Sequence, residues 1–300
     1  MAQLRGRLEQ QVAMARHVSW HAGGMASAAY WPADCDDLRE FVRRQPADAA
    51  LLLVGNGSNL LVRDGGFDGT VIFTAGLQKL QIELAPPAHG YRQVYAEAGV
   101  AATQLAKFAA ANGLTGLEFL AGIPGTVGGC VAQNAGCFGS ESWDCIDRVN
   151  MLNRRGELIQ RSHAEFEVGY RRVEPLIEVG EWFAGAWFDL READGSAAMR
   201  TVHEFIAKRR DSQPLDMPNA GRAFRNPQDN FAARLIQLAG MAGARLGGAR
   251  VSERHPNFVI NGGDASASDI ERLIDLVAER VQEKFGVRLQ CDVRIVGNKT

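Results

Sequence analysis

Two glycine-rich stretches of the chain have the composition of loops that hold phosphate groups. They are "GNGSN" at residues 55–59 and "GIPGTVGG" at residues 122–129. Because glycine leaves the backbone uncovered, successive N–H groups in such turns can point at the oxygens of an anion. One pyrophosphate held between the two loops is the favoured interpretation, and two tight turns without a ligand are the alternative.

The usual nucleotide-binding and metal-binding signatures are missing from the sequence. No Gly-Lys-Ser/Thr follows either loop, and neither contains the Gly-x-Gly-x-x-Gly that opens a helix in dinucleotide-binding folds. The spacing of Cys130, Cys137 and Cys145 fits no zinc motif, and no second histidine completes a metal site with His255. We therefore predict no metal and interpret the cysteines as small apolar side chains.

The elements that must position these loops are mostly strands. Residues 50–190 contain strand patterns such as "ALLLVG" (50–55) and "WFAGAWFDLRE" (182–192), with helical patterns at 34–45 and 101–113. Strands and helices do not alternate regularly, so this part of the chain is predicted to be an α+β domain rather than a βαβ series.

The pattern changes after about residue 200. Amphipathic helices are predicted at 229–240, with Asp229 as the N-cap and Gly240 as the C-cap, and at 266–286, and a strand closes the chain. This region is interpreted as a smaller, separate α+β domain. At the other end, residues 1–20 are interpreted as an amphipathic helix.

Composition excludes several classes of protein. The 300 residues carry 33 Lys plus Arg against 35 Asp plus Glu, so no basic excess is present to bind a nucleic acid. No apolar run approaches the ~20 residues that span a bilayer. We expect a cytoplasmic protein with neither a nucleic-acid nor a membrane partner.

Five longer segments of the chain carry a resemblance to known proteins: "LLLVGNGSNLLVRDGGFDGTVI", "EFLAGIPGTVGGCVAQNAGCFG", "FEVGYRR", "KRRDSQPLDMPNAGRAFRNP" and "VSERHPNFVINGGDAS". In their order and spacing they resemble one flavoprotein family, the UDP-N-acetylenolpyruvoylglucosamine reductases. The resemblance extends from about Ser19 to Gly297 and matches the short form of the family, without its extra substrate loop.

The resemblance implies both a fold and a reaction. The fold would be α+β, with an FAD-binding domain of the vanillyl-alcohol-oxidase type, in two subdomains, at 15–195 and a substrate domain at 200–298. The protein would be a monomer that binds FAD, takes a hydride from NADPH and reduces an enolpyruvyl ether on a UDP-linked amino sugar. In such an enzyme the flavin performs the redox chemistry, while the protein orients the reactants.

The resemblance also assigns residues to the cofactor. One phosphate turn would be formed by Gly55, Asn56, Gly57, Ser58 and Asn59, and the other by Gly122, Ile123, Pro124, Gly125, Thr126, Gly128 and Gly129. The flavin ring would lie near Asn134, Ala135 and Gly136.

On the substrate side, the resemblance implies that Arg171 meets the enolate or carboxylate, a task that suits a permanently charged, bidentate guanidinium. Tyr170 would shape the pocket, and Arg225 and Asn226 would bind the diphosphate.

Two catalytic positions depart from the family pattern. Arg222 stands where the family has a serine or cysteine proton donor, and a guanidinium with a pKa above ~12 cannot donate a proton near neutrality. Asp292 stands where the family has a glutamate, one methylene longer.

Four explanations follow from these departures. Asp292, Cys291 or a water molecule could supply the proton, or Arg222 and Arg171 could clamp a different nucleotide-linked acid or sugar. The chain could also bind FAD with weak or no turnover, or residue 222 could be an engineered substitution.

Overall fold

The structure is a computed structural model and describes residues 3–84, 88–177 and 180–299. Helices and antiparallel strands are mixed along the chain, which confirms the α+β class. In chain order the elements are β1 (Arg7–Ala13), β2 (Met25–Trp31), α1 (Cys35–Arg43), β3 (Leu51–Val54), β4 (Leu60–Val62), β5 (Phe67–Phe73), β6 (Leu80–Ile82), β7 (Tyr91–Glu97), α2 (Ala102–Ala111), β8 (Leu114–Thr115), α3 (Val127–Ala132), β9 (Gly136–Cys137), β10 (Ser140–Glu141), β11 (Ile146–Leu152), β12 (Leu158–Ser162), β13 (Phe166–Gly169), β14 (Arg172–Pro175), β15 (Trp182–Glu192), α4 (Gly195–Ser212), α5 (Ala232–Leu238), β16 (Arg245–Leu246), β17 (Ala249–Val251), β18 (Val259–Asn261), α6 (Ala267–Phe285) and β19 (Arg294–Val296).

The chain divides into two compact units. The first comprises the described residues within Met1–Leu8, Tyr30–Gly55 and Val71–Arg209, and the second those within Glu9–Ala29, Asn56–Thr70 and Arg210–Thr300. A four-stranded sheet has the order β1-β2-β5-β3. Among the helices described, none has the length and apolar character needed to cross a bilayer.

The core of the first unit is an antiparallel sheet with the order β12-β11-β15-β7-β6, and β8 pairs with one end of β15. Strand β15 lies between β11 and β7, and its apolar run from Ala184 to Phe188 is buried, as expected for a central strand. Helices α2 and α3 contribute residues such as Leu105 and Val131 to the same buried cluster. The sheet and these helices therefore support the loop that precedes α3.

Helix α1 confirms the prediction made from its acidic start. The Asp34 carboxylate accepts a hydrogen bond of 3.0 Å from the Asp37 N–H, which satisfies an otherwise unpaired donor of the first turn. Its apolar face buries Leu38 and Phe41, and the Phe41 ring stacks on Tyr30 with 3.8 Å between ring centroids.

The second unit is built on a three-stranded sheet, β16-β17-β18, with α6 packed on it. Helix α6 begins with a capping box formed by Ser266 and Asp269 and ends at Gly286, whose φ of 70° is left-handed. The helix predicted at 266–286 is therefore confirmed. Strand β19 pairs in parallel with β4, so the end of the chain lies beside the loop at residues 56–59.

The helix predicted for residues 1–20 is wrong. The described residues there form β1, which hydrogen-bonds to β2, followed by a short 3-10 helix at Met14–Arg16. Only Val12 and Met14 are buried between residues 7 and 16. Two buried side chains are too few for the spacing of apolar residues to show whether the segment is a helix or a strand. Pairing with a strand distant along the chain then decides the conformation.

Candidate active site

The first unit brings the two predicted phosphate loops into contact at Gly55 and Thr126. Gly55 follows β3, and Thr126 is the N-cap residue of α3. A Cβ on residue 55 would lie 2.2 Å from the Thr126 Oγ1, which is far inside contact distance. Glycine is therefore required at position 55 for the threonine hydroxyl to occupy its place.

The Thr126 hydroxyl fits a phosphate ligand. The residue is only 3% exposed, and its Oγ1 is buried without a hydrogen-bond partner among the described residues. Leaving a buried hydroxyl unpaired costs about 1–3 kcal/mol. A phosphate oxygen of FAD would accept the missing hydrogen bond, so the residues present fit this cofactor.

The backbone around Thr126 is fixed by the protein itself. The N–H groups of Val127 and Gly128 donate to the carbonyls of Val100 and Ala98, at 2.8 and 3.0 Å. A Cβ at Gly128 would lie 2.8 Å from that of Ala98, so glycine permits this close packing. These two amides hold the loop in place, and we expect the phosphate to be bound by other groups of the loop.

The remaining predicted residues of this loop lie just before Thr126, except for Gly129, which lies in α3. Gly122 ends a 3-10 helix at Glu118–Gly122 and faces Cys137 and Phe138, while the Ile123 N–H donates to the carbonyl of Leu120. Pro124, Gly125 and Gly129 complete the predicted set. The carbonyl of Gly125 accepts a hydrogen bond of 3.0 Å from the N–H of Ala102 at the start of α2.

The other predicted loop continues in the second unit, which contains Asn56, Gly57, Ser58 and Asn59. Gly57 has a φ of +60°, and a Cβ there would lie 2.4 Å from the His17 carbonyl oxygen, so only glycine fits. The Asn59 side chain donates to the Asp292 carbonyl at 2.8 Å.

Arg171 is brought to the segment that was predicted to lie beside the flavin. Its Nη2 donates to the Gly136 carbonyl at 2.7 Å, and its Nη1 lies 3.4 Å from the Asn134 carbonyl. Its backbone has a φ of +56°, and its guanidinium lies 5.8 Å from the centre of the half-exposed Tyr170 ring. The first unit therefore places a fixed positive charge at Asn134–Gly136.

Asn134 is an anchor for this segment rather than an available amide. It is 2% exposed, and its Nδ2 donates to the Glu141 carboxylate at 2.6 Å and to the Gly169 carbonyl at 3.1 Å. Its Oδ1 accepts from the Trp143 N–H at 3.1 Å. Both N–H donors of the side chain are in use, and the backbone N–H groups of Asn134 and Ala135 donate to the carbonyls of Val131 and Cys130. Asn134 therefore fixes the shape of the segment that was predicted to lie near the flavin ring.

In the second unit, the predicted residues Arg225 and Asp292 lie on two paired segments. The Arg225 N–H donates to the Gln290 carbonyl and the Asp292 N–H to the Ala223 carbonyl, each at 2.9 Å. The Arg225 Nε then lies 3.2 Å from the Asp292 Oδ1. Asp292 therefore orients a predicted substrate-binding arginine.

Asn226 lies six residues before the first residue of helix α5 and caps its first turn. Its Oδ1 accepts a hydrogen bond of 3.1 Å from the Ala232 N–H, so the predicted N-cap role of Asp229 is wrong. Asp229 instead has a φ of +59° in the preceding turn. Gly240, with a φ of +78°, follows the helix as predicted.

Arg222 lies close to His255, a residue to which the sequence assigned no catalytic role. Burial, and secondly the charge of Arg222, lower the pKa of His255 below its ordinary value. Its Nδ1 is buried with no hydrogen-bond partner in the described parts of the chain. Near position 222, where the family has a serine or cysteine, this chain therefore has an imidazole whose pKa is lowered by burial and by the arginine charge.

This arrangement predicts a pH-dependent stability. The pKa of His255 is lower in the folded protein than in the unfolded chain, so neutral His255 favours the folded state. This contribution to the free energy of unfolding is fully present above pH ~6.5, the pKa of a free histidine, and it is lost as the pH falls from there through the folded-state pKa. When the pH is lowered from 7.5 to 5.5, we expect the unfolding temperature of the wild type to fall by more than that of His255→Gln.

The control for this measurement is His89→Gln, which changes an exposed histidine and should behave as the wild type. Equal losses of stability in the wild type and in His255→Gln would contradict the assignment of the pH dependence to His255.

The sequence and the fold were compared with known proteins. A family described as "FAD binding domain" matches residues 26–162, and one described as "UDP-N-acetylenolpyruvoylglucosamine reductase, C-terminal domain" matches residues 213–296. A protein named UDP-N-acetylenolpyruvoylglucosamine reductase from Thiobacillus denitrificans is 51% identical, with 99% of this chain and 94% of that protein covered. One of the same name from Nitrosospira multiformis is 45% identical, with 99% and 90% covered.

The fold gives the same result. The crystal structure of UDP-N-acetylenolpyruvylglucosamine reductase (MurB) from Thermus caldophilus superposes with a TM-score of 0.79 at 30% identity, covering 97% of this chain and 99% of that one. The α+β fold with an FAD-binding domain that the resemblance implied is confirmed. Since identity and coverage extend over essentially the whole chain, this protein belongs to the UDP-N-acetylenolpyruvoylglucosamine reductase family.

Proposed function

We propose that this protein catalyses the NADPH-dependent reduction of UDP-N-acetylglucosamine enolpyruvate to UDP-N-acetylmuramate, a step in making peptidoglycan precursors. Membership of the family along the full chain supports this function. The single structural observation that carries it is the unpartnered Thr126 hydroxyl beside Gly55. We further propose a cytoplasmic monomer whose FAD-binding domain is 15–195 and whose substrate domain is 200–298.

FAD, when bound, supplies the hydride transfer from NADPH to the methylene carbon of the enolpyruvyl group. The chain would hold its phosphates at residues 55–59, 122–126, 128 and 129 and its ring near residues 134–136. Thr126 would donate a hydrogen bond to a phosphate oxygen, and the glycines would let the backbone approach it.

Arg171 is suited to binding the enolpyruvyl carboxylate. Its guanidinium is held by the carbonyls of Asn134 and Gly136, so its charge is positioned before the substrate arrives. Preorganised positive charge stabilises the negative charge that develops next to that carboxylate during reduction. Tyr170, half exposed beside it, would form part of the same wall.

Arg225 and Asn226 are proposed to bind the diphosphate of the substrate. Asp292 pairs with Arg225 and so positions its guanidinium. Arg222 forms no hydrogen bond or ion pair with another described residue, although its charge acts on His255. It would contribute a further positive charge toward an anionic substrate, but its pKa is too high for it to act as a proton-donating acid.

The two halves of the reaction can be tested separately in a stopped-flow instrument. The purified protein should be yellow, and anaerobic NADPH should bleach the flavin absorbance faster than it bleaches free FAD. The reduced protein should then be reoxidised by UDP-N-acetylglucosamine enolpyruvate and not by UDP-N-acetylglucosamine, which lacks the double bond. A colourless protein that takes up no FAD would refute the flavin assignment, and reduction without reoxidation would refute the substrate.

A further inference from the structure

The second unit contains a pocket whose lining residues have no role in the proposed reaction. Its volume is about 180 Å³, and it lies on one face of the sheet β16-β17-β18. Arg245 pairs with Arg250, and Arg250 pairs with Ile260, so these three residues form a row across the sheet on the pocket side. Ala249 and Val251 alternate with Arg250 and are buried in the cluster that includes α6, and Val251 also borders the pocket.

The row places two positive charges side by side. Arg245 and Arg250 are direct partners in an antiparallel register, a position in which like charges are destabilising. Among the described residues neither forms an ion pair, and the Nε of Arg250 is buried without a hydrogen-bond partner. A buried guanidinium N–H without an acceptor carries a free-energy cost that a bound ligand would relieve.

The carboxylates that line the pocket do not neutralise this pair. Asp216 lies 3.7 Å from the Arg254 guanidinium, and both of these side chains are more than half exposed. Glu253 packs near Gly243, where a Cβ would lie 2.9 Å from its Oε1. Both carboxylates therefore leave Arg245 and Arg250 without an anionic partner.

We propose that this pocket binds a phosphate-type oxyanion between Arg245 and Arg250. Such an anion would accept the Arg250 Nε–H, contact both guanidinium groups and remove their mutual repulsion. Arginine suits this task because its planar fork matches the oxygens of a phosphate. The anion could come from free inorganic phosphate or pyrophosphate, or from the diphosphate of a nucleotide. Only the nucleotide source depends on the proposed function being correct.

The test is calorimetric titration of the holoenzyme with inorganic pyrophosphate at low, matched ionic strength. We expect saturable binding by the wild type that weakens at least tenfold in both Arg250→Met and Arg245→Met. The control is Arg280→Met, which removes an exposed arginine of α6 and should bind as the wild type. An absence of binding, or equal binding by all four proteins, would overturn the proposal.

Thermal unfolding provides an independent readout of the same variants. Pyrophosphate should raise the unfolding temperature of the wild type and of Arg280→Met but not of Arg250→Met. Without the anion, Arg250→Met should be at least as stable as the wild type, because it removes a like-charge contact. A marked loss of stability in anion-free Arg250→Met would mean that Arg250 is structural and would count against the proposal.

A competition experiment identifies the source of the anion. If UDP displaces pyrophosphate and also binds Arg250→Met more weakly, the pocket holds the diphosphate of a nucleotide. If UDP binding is unchanged in Arg250→Met, the pocket holds a free inorganic anion. Neither result depends on hydride transfer, so failure of the proposed reductase activity would be seen separately in the stopped-flow assay.

Discussion

Replacing Arg222 with serine is expected to raise turnover of UDP-N-acetylglucosamine enolpyruvate about 10²-fold. A proton must reach the carbon next to the carboxylate after hydride addition, and a positioned general acid typically accelerates such a step ~10²–10⁴-fold. Arginine at position 222 stays protonated and cannot supply this proton, whereas the family resemblance implies a serine or cysteine proton donor at this position. The measurement is the rate of flavin reoxidation when the reduced enzyme is mixed with the enolpyruvyl substrate.

The matched control is Arg222→Met, which removes the same charge and a similar volume without adding a hydroxyl. If the serine acts as a proton donor, Arg222→Met should show no comparable gain. Both variants should raise the pKa of His255, because both remove the neighbouring charge that lowers it. This shift can be followed by NMR, and equal acceleration in the two variants would contradict the proton-donor explanation.

Substituting Gly55 by alanine is expected to weaken FAD binding by roughly 10- to 100-fold. The added methyl group would lie 2.2 Å from the Thr126 Oγ1, and a buried, β-branched threonine has little freedom to move away. The Thr126 hydroxyl would then turn away from its present direction and lose its proposed hydrogen bond to the FAD phosphate. A hydrogen bond to a charged group contributes about 1.5–3 kcal/mol. The measurement is the dissociation constant of FAD from protein that has been stripped of flavin and reloaded.

Two further proteins separate lost binding from lost folding. Gly180→Ala adds the same methyl group at a position where no atom of the described residues, other than its chain neighbours, lies within 4 Å, and it should retain FAD. The double variant Gly55→Ala with Thr126→Ala removes the clash together with the hydroxyl, so it should unfold at a higher temperature than Gly55→Ala and still bind FAD weakly. If Gly55→Ala binds FAD as tightly as the wild type, these two loops do not hold the cofactor as proposed.

Elements with strong local signals could be predicted from the sequence. Helix α6 has a serine cap, an apolar stripe and a terminal glycine, and all three features are local. The same reasoning was wrong at the N-terminus, where β1 depends on pairing with β2. It was also wrong at the start of α5, where the hydrogen bond to Ala232 comes from Asn226, six residues earlier, rather than from the nearer Asp229.

The sequence by itself determined the family, the α+β class and the candidate residues of the cofactor loops, because these follow from residue order and from the conformational demands of glycine. The tertiary structure alone decided which of those residues meet. It joined Gly55 to Thr126, and it joined Asn59 to the Asp292 carbonyl, 233 positions further along the chain. It also placed Arg250 opposite Arg245. Contacts of this kind depend on strand register and on the packing of distant segments, which local sequence patterns do not encode.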